Sequence, residues 1–142
     1  MATSSAEAVW EGGLKDGKGN ITLSSGAFNG SYSFRTRFEG APGTNPEELI
    51  GAAHAGCYSM ALSAGLEKAG HKATRVHTIA KVSLEKVETG FKITKILLTC
   101  DAVVPGIDDK AFEEQAQAAK KGCPVSQALA ATNIELQAKL VK

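Results

Sequence analysis

The sequence predicts a single α+β domain, residues 1–142, with helices packed on a mainly antiparallel sheet. Three observations carry this. Alternating segments bounded by Gly and Asn turns lie on both sides of one long stretch, residues 44–70, that has the marks of a helix. Within it, residues 49–66 include no formally charged side chain. At 142 residues the chain can bury about two thirds of its unfolded surface around one core.

Taken in order, 6–11 and 20–24 read as strands joined by a turn at Asp16-Gly17-Lys18-Gly19. Residues 28–38 follow as a strand segment, with Asn29-Gly30 as a turn and Tyr32, Phe34 and Phe38 alternating with polar neighbours. Arg35 and Arg37 would then share one strand face. The next stretch starts like a helix: Asn45 as N-cap, Pro46 at the first position, Glu47 and Glu48 at the positive end of the dipole. Gly70 supplies the stop, with Lys68 in the last turn. The uncharged run is long enough to raise a membrane span. Gly51, His54, Gly56, Ser59 and Ser63 are too small or polar for one, so a helix buried on all sides is expected.

Beyond it, 74–86 and 91–104 read as two long strands around Glu88-Thr89-Gly90. Residues 108–121 form a polar amphipathic helix capped by Asp108 or Asp109 and ended by Gly122. Cys123-Pro124 opens a short helix with the cysteine at its N-cap. Residues 133–141 close the chain, with Ile134, Leu136, Ala138 and Leu140 on one face.

Composition excludes more than it selects. A net charge of +1 without a basic run gives no sign of nucleic acid or an anionic membrane. The first ten residues lack a basic segment followed by an apolar one, so no secretory signal is expected. Three cysteines do not make a disulfide framework, and they suit a reducing compartment, the cytoplasm.

The chemistry rests on those cysteines. Cys57 reads either as a small hydrophobe in a packed helix or as half of a redox pair with Cys123, where helix N–H groups favour a thiolate. Spacing leaves both readings open. Cys100 falls in phase with Ile96, Leu98, Ala102 and Val104 and reads as packing. His54, three residues before Cys57, reads as a buried, hydrogen-bonded side chain; a zinc site with Cys57 and Cys123 lacks CxxC spacing. A Cys–His acyl-transfer pair lacks an oxyanion-hole motif. A reactive Cys57 needs help: lowering a thiol pKa by ~2 units takes about 2.7 kcal/mol. The dipole cannot act mid-helix. A cation at ~4 Å contributes about 4 kcal/mol at an effective dielectric near 20. Arg35 and Arg37 are the candidates, since a carboxylate can hold a guanidinium in a fork.

TRFEG (36–40), TNPEELIGAAHAGC (44–57) and GCPVSQ (122–127), with WEG (10–12) and VPGID (104–108), closely resemble the osmotically inducible protein C branch of the OsmC/Ohr peroxidases. The resemblance spans nearly the whole chain. It implies an OsmC-like fold in an intertwined homodimer, and a thiol peroxidase of oxidative and osmotic stress defence that reduces organic hydroperoxides. By position, Cys57 is similar to the peroxidatic cysteine and Cys123 to the resolving one; Arg37 matches the family arginine and Glu47 the carboxylate that holds it. The implied mechanism is a Cys57 sulfenic acid, a Cys57–Cys123 disulfide, and reduction by a dihydrolipoyl group or small dithiol. No cofactor or metal is expected, and Cys100 has no counterpart among the family's functional residues. Tyr32, Phe34, Phe38, Tyr58 and Met60 are candidates for an apolar collar around the peroxide. Glu47 and Cys57, ten residues apart, lie about 15 Å apart along one helix. Two central helices crossing antiparallel near Ala52 would bring the carboxylate of one chain beside the thiol of the other, in active sites at the interface. A non-catalytic redox sensor or stress-binding protein, a structural zinc protein and a cysteine hydrolase are the alternatives.

Overall fold

A computed structural model describes residues 1–142, which divide into two compact units, Met1–Leu49 and Ile50–Lys142. The first holds an antiparallel sheet in the order β1–β2–β3, of Ala6–Glu11, Lys18–Leu23 and Asn29–Tyr32. Ile21 is its buried centre, and Trp10 packs on Tyr32 with ring centroids 5.4 Å apart. The expected single strand over 28–38 is not what forms. Asn29 and Gly30 lie inside β3, paired with Thr22 and Ile21, and residues Phe34–Phe38 make a one-turn helix, α1. The cause is local. Ser33 Oγ accepts from the Thr36 N–H at 3.2 Å, and the Ser33 N–H donates to Thr36 Oγ1 at 2.9 Å, a reciprocal capping box that outweighs the strand-like aromatic spacing.

Helix α2 runs Pro46–Lys68 as its signals dictate. Asn45 Oδ1 accepts from the Glu48 N–H at 2.8 Å. At the far end, His71 N–H donates to Leu66 O, Gly70 N–H donates to Glu67 O, and Gly70 takes φ +92°, the left-handed stop that glycine permits. By length and composition α2 passes for a membrane span. Its buried side chains answer otherwise: His54, Tyr58, Leu62 and Leu66 recur every four residues and join a packed core. Expected to be buried on all sides, the helix is buried along that one stripe, while Ala52, Ala53, Gly56 and Met60 are exposed. A helix without charges does not tell its two faces apart in sequence.

In the second unit β4 (Arg75–Val87) and β5 (Gly90–Val103) form a long antiparallel hairpin through the two-residue turn Glu88-Thr89. Next come α3 (Asp109–Gly122, capped by Asp108) and α4 (Pro124–Ala128); β6 (Asn133–Leu140) returns beside β5. The β5–β6 pair is parallel, the exception within the mainly antiparallel arrangement expected. A helical crossover makes that possible: α3 and α4 carry the chain back to the end at which β5 began. The core joins Tyr58, Leu62 and Leu66 of α2 to Ile96, Leu98, Cys100 and Ala102 of β5 and Phe112, Ala116 and Ala119 of α3. Cys100 is therefore packing. Helix α2 lies close on β4, since a Cβ on Gly51 would stand 3.3 Å from Ala80 O. Leu62 is fully buried, so Leu62→Ala is expected to lower stability by about 2–5 kcal/mol. A drop in the urea midpoint without a change in slope would show it.

Candidate active site

Each unit brings together one pair of the expected site residues. In the first, α1 turns Arg37 toward the opening of α2, where the Glu47 carboxylate accepts from Arg37 Nε at 3.0 Å and from Nη2 at 2.9 Å. This is a bidentate fork on a buried carboxylate in the first helical turn. Arg35, expected on the same face as Arg37, is placed apart from it by the helical turn. It is exposed and pairs only with Glu39 at 3.6 Å. Arg37 thus separates from its neighbour as the anchored cation. Trp10, Leu14, Ser33, Phe34 and Phe38 line, together with Arg37, a pocket of about 190 Å³, and the Arg37 guanidinium carbon lies 5.3 Å from the Phe38 ring centre. Of the expected collar only Phe34 and Phe38 line this pocket. Tyr32 packs on Trp10, Tyr58 is core and donates its hydroxyl to Ala116 O at 3.1 Å, and Met60 is exposed. Trp10 entered the sequence reading only within the WEG motif and Leu14 not at all, because one lies in a strand and the other in a loop far from any cysteine.

In the second unit Cys57 and Cys123 meet. Their sulfurs lie 2.7 Å apart and both are free thiols, against about 2.05 Å for a disulfide. Cys57 is partly exposed on α2; Cys123, at the N-cap of α4, is wholly buried. Their surroundings act on the two thiols in opposite directions. Burial, and then the hydrogen bond with Cys123, push the Cys57 thiol up, with only the Val125 N–H acting the other way. At Cys123 burial again opposes the charged form. The hydrogen bond from Cys57, the N–H and hydroxyl of Ser126 and the N–H of Val125 outweigh it and hold that thiol below its ordinary value. Left to its own unit, Cys57 is the poorer thiolate.

His54 is fully buried, and its Nε2 lies 2.7 Å from Ser126 Oγ, as the buried, hydrogen-bonded reading expects. Ser126 was missed; its signal was position, three residues into the helix that Cys123 opens. Burial holds the His54 imidazole below its ordinary 6.5. The native state therefore resists a proton that the unfolded chain accepts, so this contribution to stability is complete above 6.5 and is lost as pH falls toward the lower native value. Urea midpoints at about pH 7.5 and about pH 5.5 should drop further for the native sequence than for His54→Gln.

Two thiols in contact, one partly exposed and one sealed, have the arrangement that dithiol redox chemistry requires. Residues 38–139 match the family model described as OsmC-like protein. The chain is 57% identical over 126 residues, 88% of each sequence, to the Escherichia coli (strain K12) protein named Peroxiredoxin OsmC. Its fold matches the organic hydroperoxide resistance protein OhrB of Bacillus subtilis at 28% identity and a TM-score of 0.69, over 96% of this chain and 98% of that one. An OsmC-like protein of Mycoplasma pneumoniae matches at 16% identity and a TM-score of 0.77, over 99% of each chain, which shows the fold alone. The chain belongs to the OsmC-like protein family. It is a thiol peroxidase of that family.

Proposed function

We propose that the protein reduces organic hydroperoxides to alcohols, with Cys57 as the peroxidatic and Cys123 as the resolving cysteine. One observation carries the assignment of roles: the sulfurs touch, and only Cys57 is open to a substrate. Cys57 thiolate attacks the distal peroxide oxygen, the O–O bond breaks, and the alkoxide leaves and takes a proton from water. Cys123 thiolate then attacks the resulting sulfenic sulfur, the S–O bond breaks, and hydroxide leaves as water. A dithiol of the dihydrolipoyl or small-molecule class reopens the disulfide by two exchanges and is itself oxidised.

The groups around Cys57 disfavour its thiolate, so the cation must be supplied from elsewhere. Arg37, held by the Glu47 fork, is that cation; it favours the Cys57 thiolate and stabilises the developing alkoxide. The apolar pocket beside Arg37 suits the hydrocarbon part of an organic peroxide and offers hydrogen peroxide little. Two copies assemble over the uncharged face Ala52, Ala53, Gly56 and Met60, so that the fork of one serves the thiols of the other. Three cysteines that make no disulfide framework suit a reducing compartment, the cytoplasm. Sizing alongside consumption of cumene hydroperoxide with a dithiol tests this reading. A fully active monomer would remove the shared site, and oxidation without continuous turnover would leave a redox sensor instead.

A further inference from the structure

We propose that Asn45 is a positioning residue for Arg37, its side-chain amide tethering α1 to the start of α2 so that the guanidinium stays in its fork. The inference rests on the role proposed above for Arg37, and every residue it uses lies in the first unit. The sequence marks Asn45 as an N-cap, and one end of its amide does that work: Oδ1 accepts from the Glu48 N–H at 2.8 Å. The other end is occupied as well, for Nδ2 donates to Thr36 O at 3.1 Å. The partners fix which end is which. A backbone N–H can only donate and a carbonyl only accept, so the oxygen faces Glu48 and the nitrogen faces Thr36.

Both partners are groups that a helix end leaves open. The Glu48 N–H is among the first four donors of α2, and Thr36 O is among the last four acceptors of α1, which ends at Phe38. One side chain thus closes two helix termini against each other. The chain between them folds back tightly enough to allow it: a Cβ on Gly43 would stand 2.8 Å from Thr36 Cγ2. Ser and Asp cap a helix as well as Asn does, yet neither carries an acceptor and an N–H donor on separate atoms. The residue type exceeds what the cap alone requires.

What the second bond adds is a fixed place for Arg37. Thr36 immediately precedes Arg37, and Glu47 lies two residues beyond Asn45, so tether and fork join the same two helices at neighbouring points. Without the tether, α1 would hang from α2 by one long side chain that carries much rotamer freedom. With 36% of that side chain exposed, water also competes for the guanidinium. Holding the Arg37 backbone beside Glu47 lowers the entropy lost when the fork closes, which is preorganisation of the cation.

Asn45→Ser separates the two bonds. Its hydroxyl keeps the cap, while its single oxygen, one bond nearer the backbone, cannot also reach Thr36 O. The Arg37 Nε–H, assigned in nitrogen-edited proton spectra by its loss in Arg37→Lys, is expected to exchange with water about fivefold faster in Asn45→Ser, as for one net hydrogen bond lost. For cumene hydroperoxide kcat/KM should fall about threefold, short of the loss in Arg37→Met, and that decrement should vanish when Asn45→Ser is made within Arg37→Met. Unchanged exchange would overturn the proposal by showing the fork intact without its tether. An equal kinetic loss with and without Arg37 would overturn it too, since Asn45 would then act on something else. A native-like Arg37→Met would sink the cation reading instead, and the exchange rate would still decide whether Asn45 holds the guanidinium.

Discussion

Cys57→Ser is expected to abolish peroxide turnover, and Cys123→Ser to complete one oxidation and then stop. The asymmetry follows from exposure. A hydroperoxide reaches the partly exposed Cys57 sulfur and not the buried Cys123 sulfur, so removing Cys57 leaves no nucleophile. Removing Cys123 leaves the first step intact and takes away the thiol that captures the sulfenic acid. Excess peroxide then carries Cys57 to the sulfinic and sulfonic states, from which a dithiol does not recover it. Intact mass after one equivalent and after excess cumene hydroperoxide checks both variants. Sustained turnover by Cys57→Ser would move the nucleophile to another residue.

Arg37→Met is expected to lower kcat/KM for an organic hydroperoxide about 10²–10³-fold, the usual cost of losing one preorganised stabiliser of developing charge. The loss has two sources. Burial and the Cys123 hydrogen bond leave Cys57 a poor thiolate, and no other cation in the fork replaces Arg37. Arg37→Lys should fall between, since an ammonium cannot make both bonds to Glu47. Steady-state rates across pH check it: with Arg37→Met the onset of activity should move to higher pH, and a native-like profile would exclude the guanidinium from the chemistry.

Much of the fold is legible because its signals are local. Asn45, Pro46 and Gly70 bracket α2, Asp108 and Gly122 bracket α3, and the Cys123-Pro124 step marks α4. Misreadings arise where the deciding partner is distant or the local signal is double. Tyr32, Phe34 and Phe38 alternate as a strand would, yet Ser33 and Thr36 bond each other and close a helical turn. The parallel placement of β6 depends on which strand it meets, and its own alternation is the same either way. At the site, Cys57, Cys123 and the pair Arg35 and Arg37 were candidates from the residues, motif resemblance singled out Arg37 and Glu47, and only folding shows which meets which. Spacing could not bring Cys57 to Cys123 across 66 residues. Ser126 was illegible because a serine in the first turn of a helix ordinarily needs no other explanation.

The crossover between β5 and β6 has a temporal consequence. Cys123 rides inside it, between a strand that zips early with its hairpin neighbour and one that pairs only when the last residues are in place. Contacts distant in sequence form late, so a growing chain exposes Cys57 well before its sulfur partner is delivered. During synthesis the first thiol precedes the sulfur that would capture its oxidised form, so on the roles proposed above its reactivity has to wait for the completed fold and the cation.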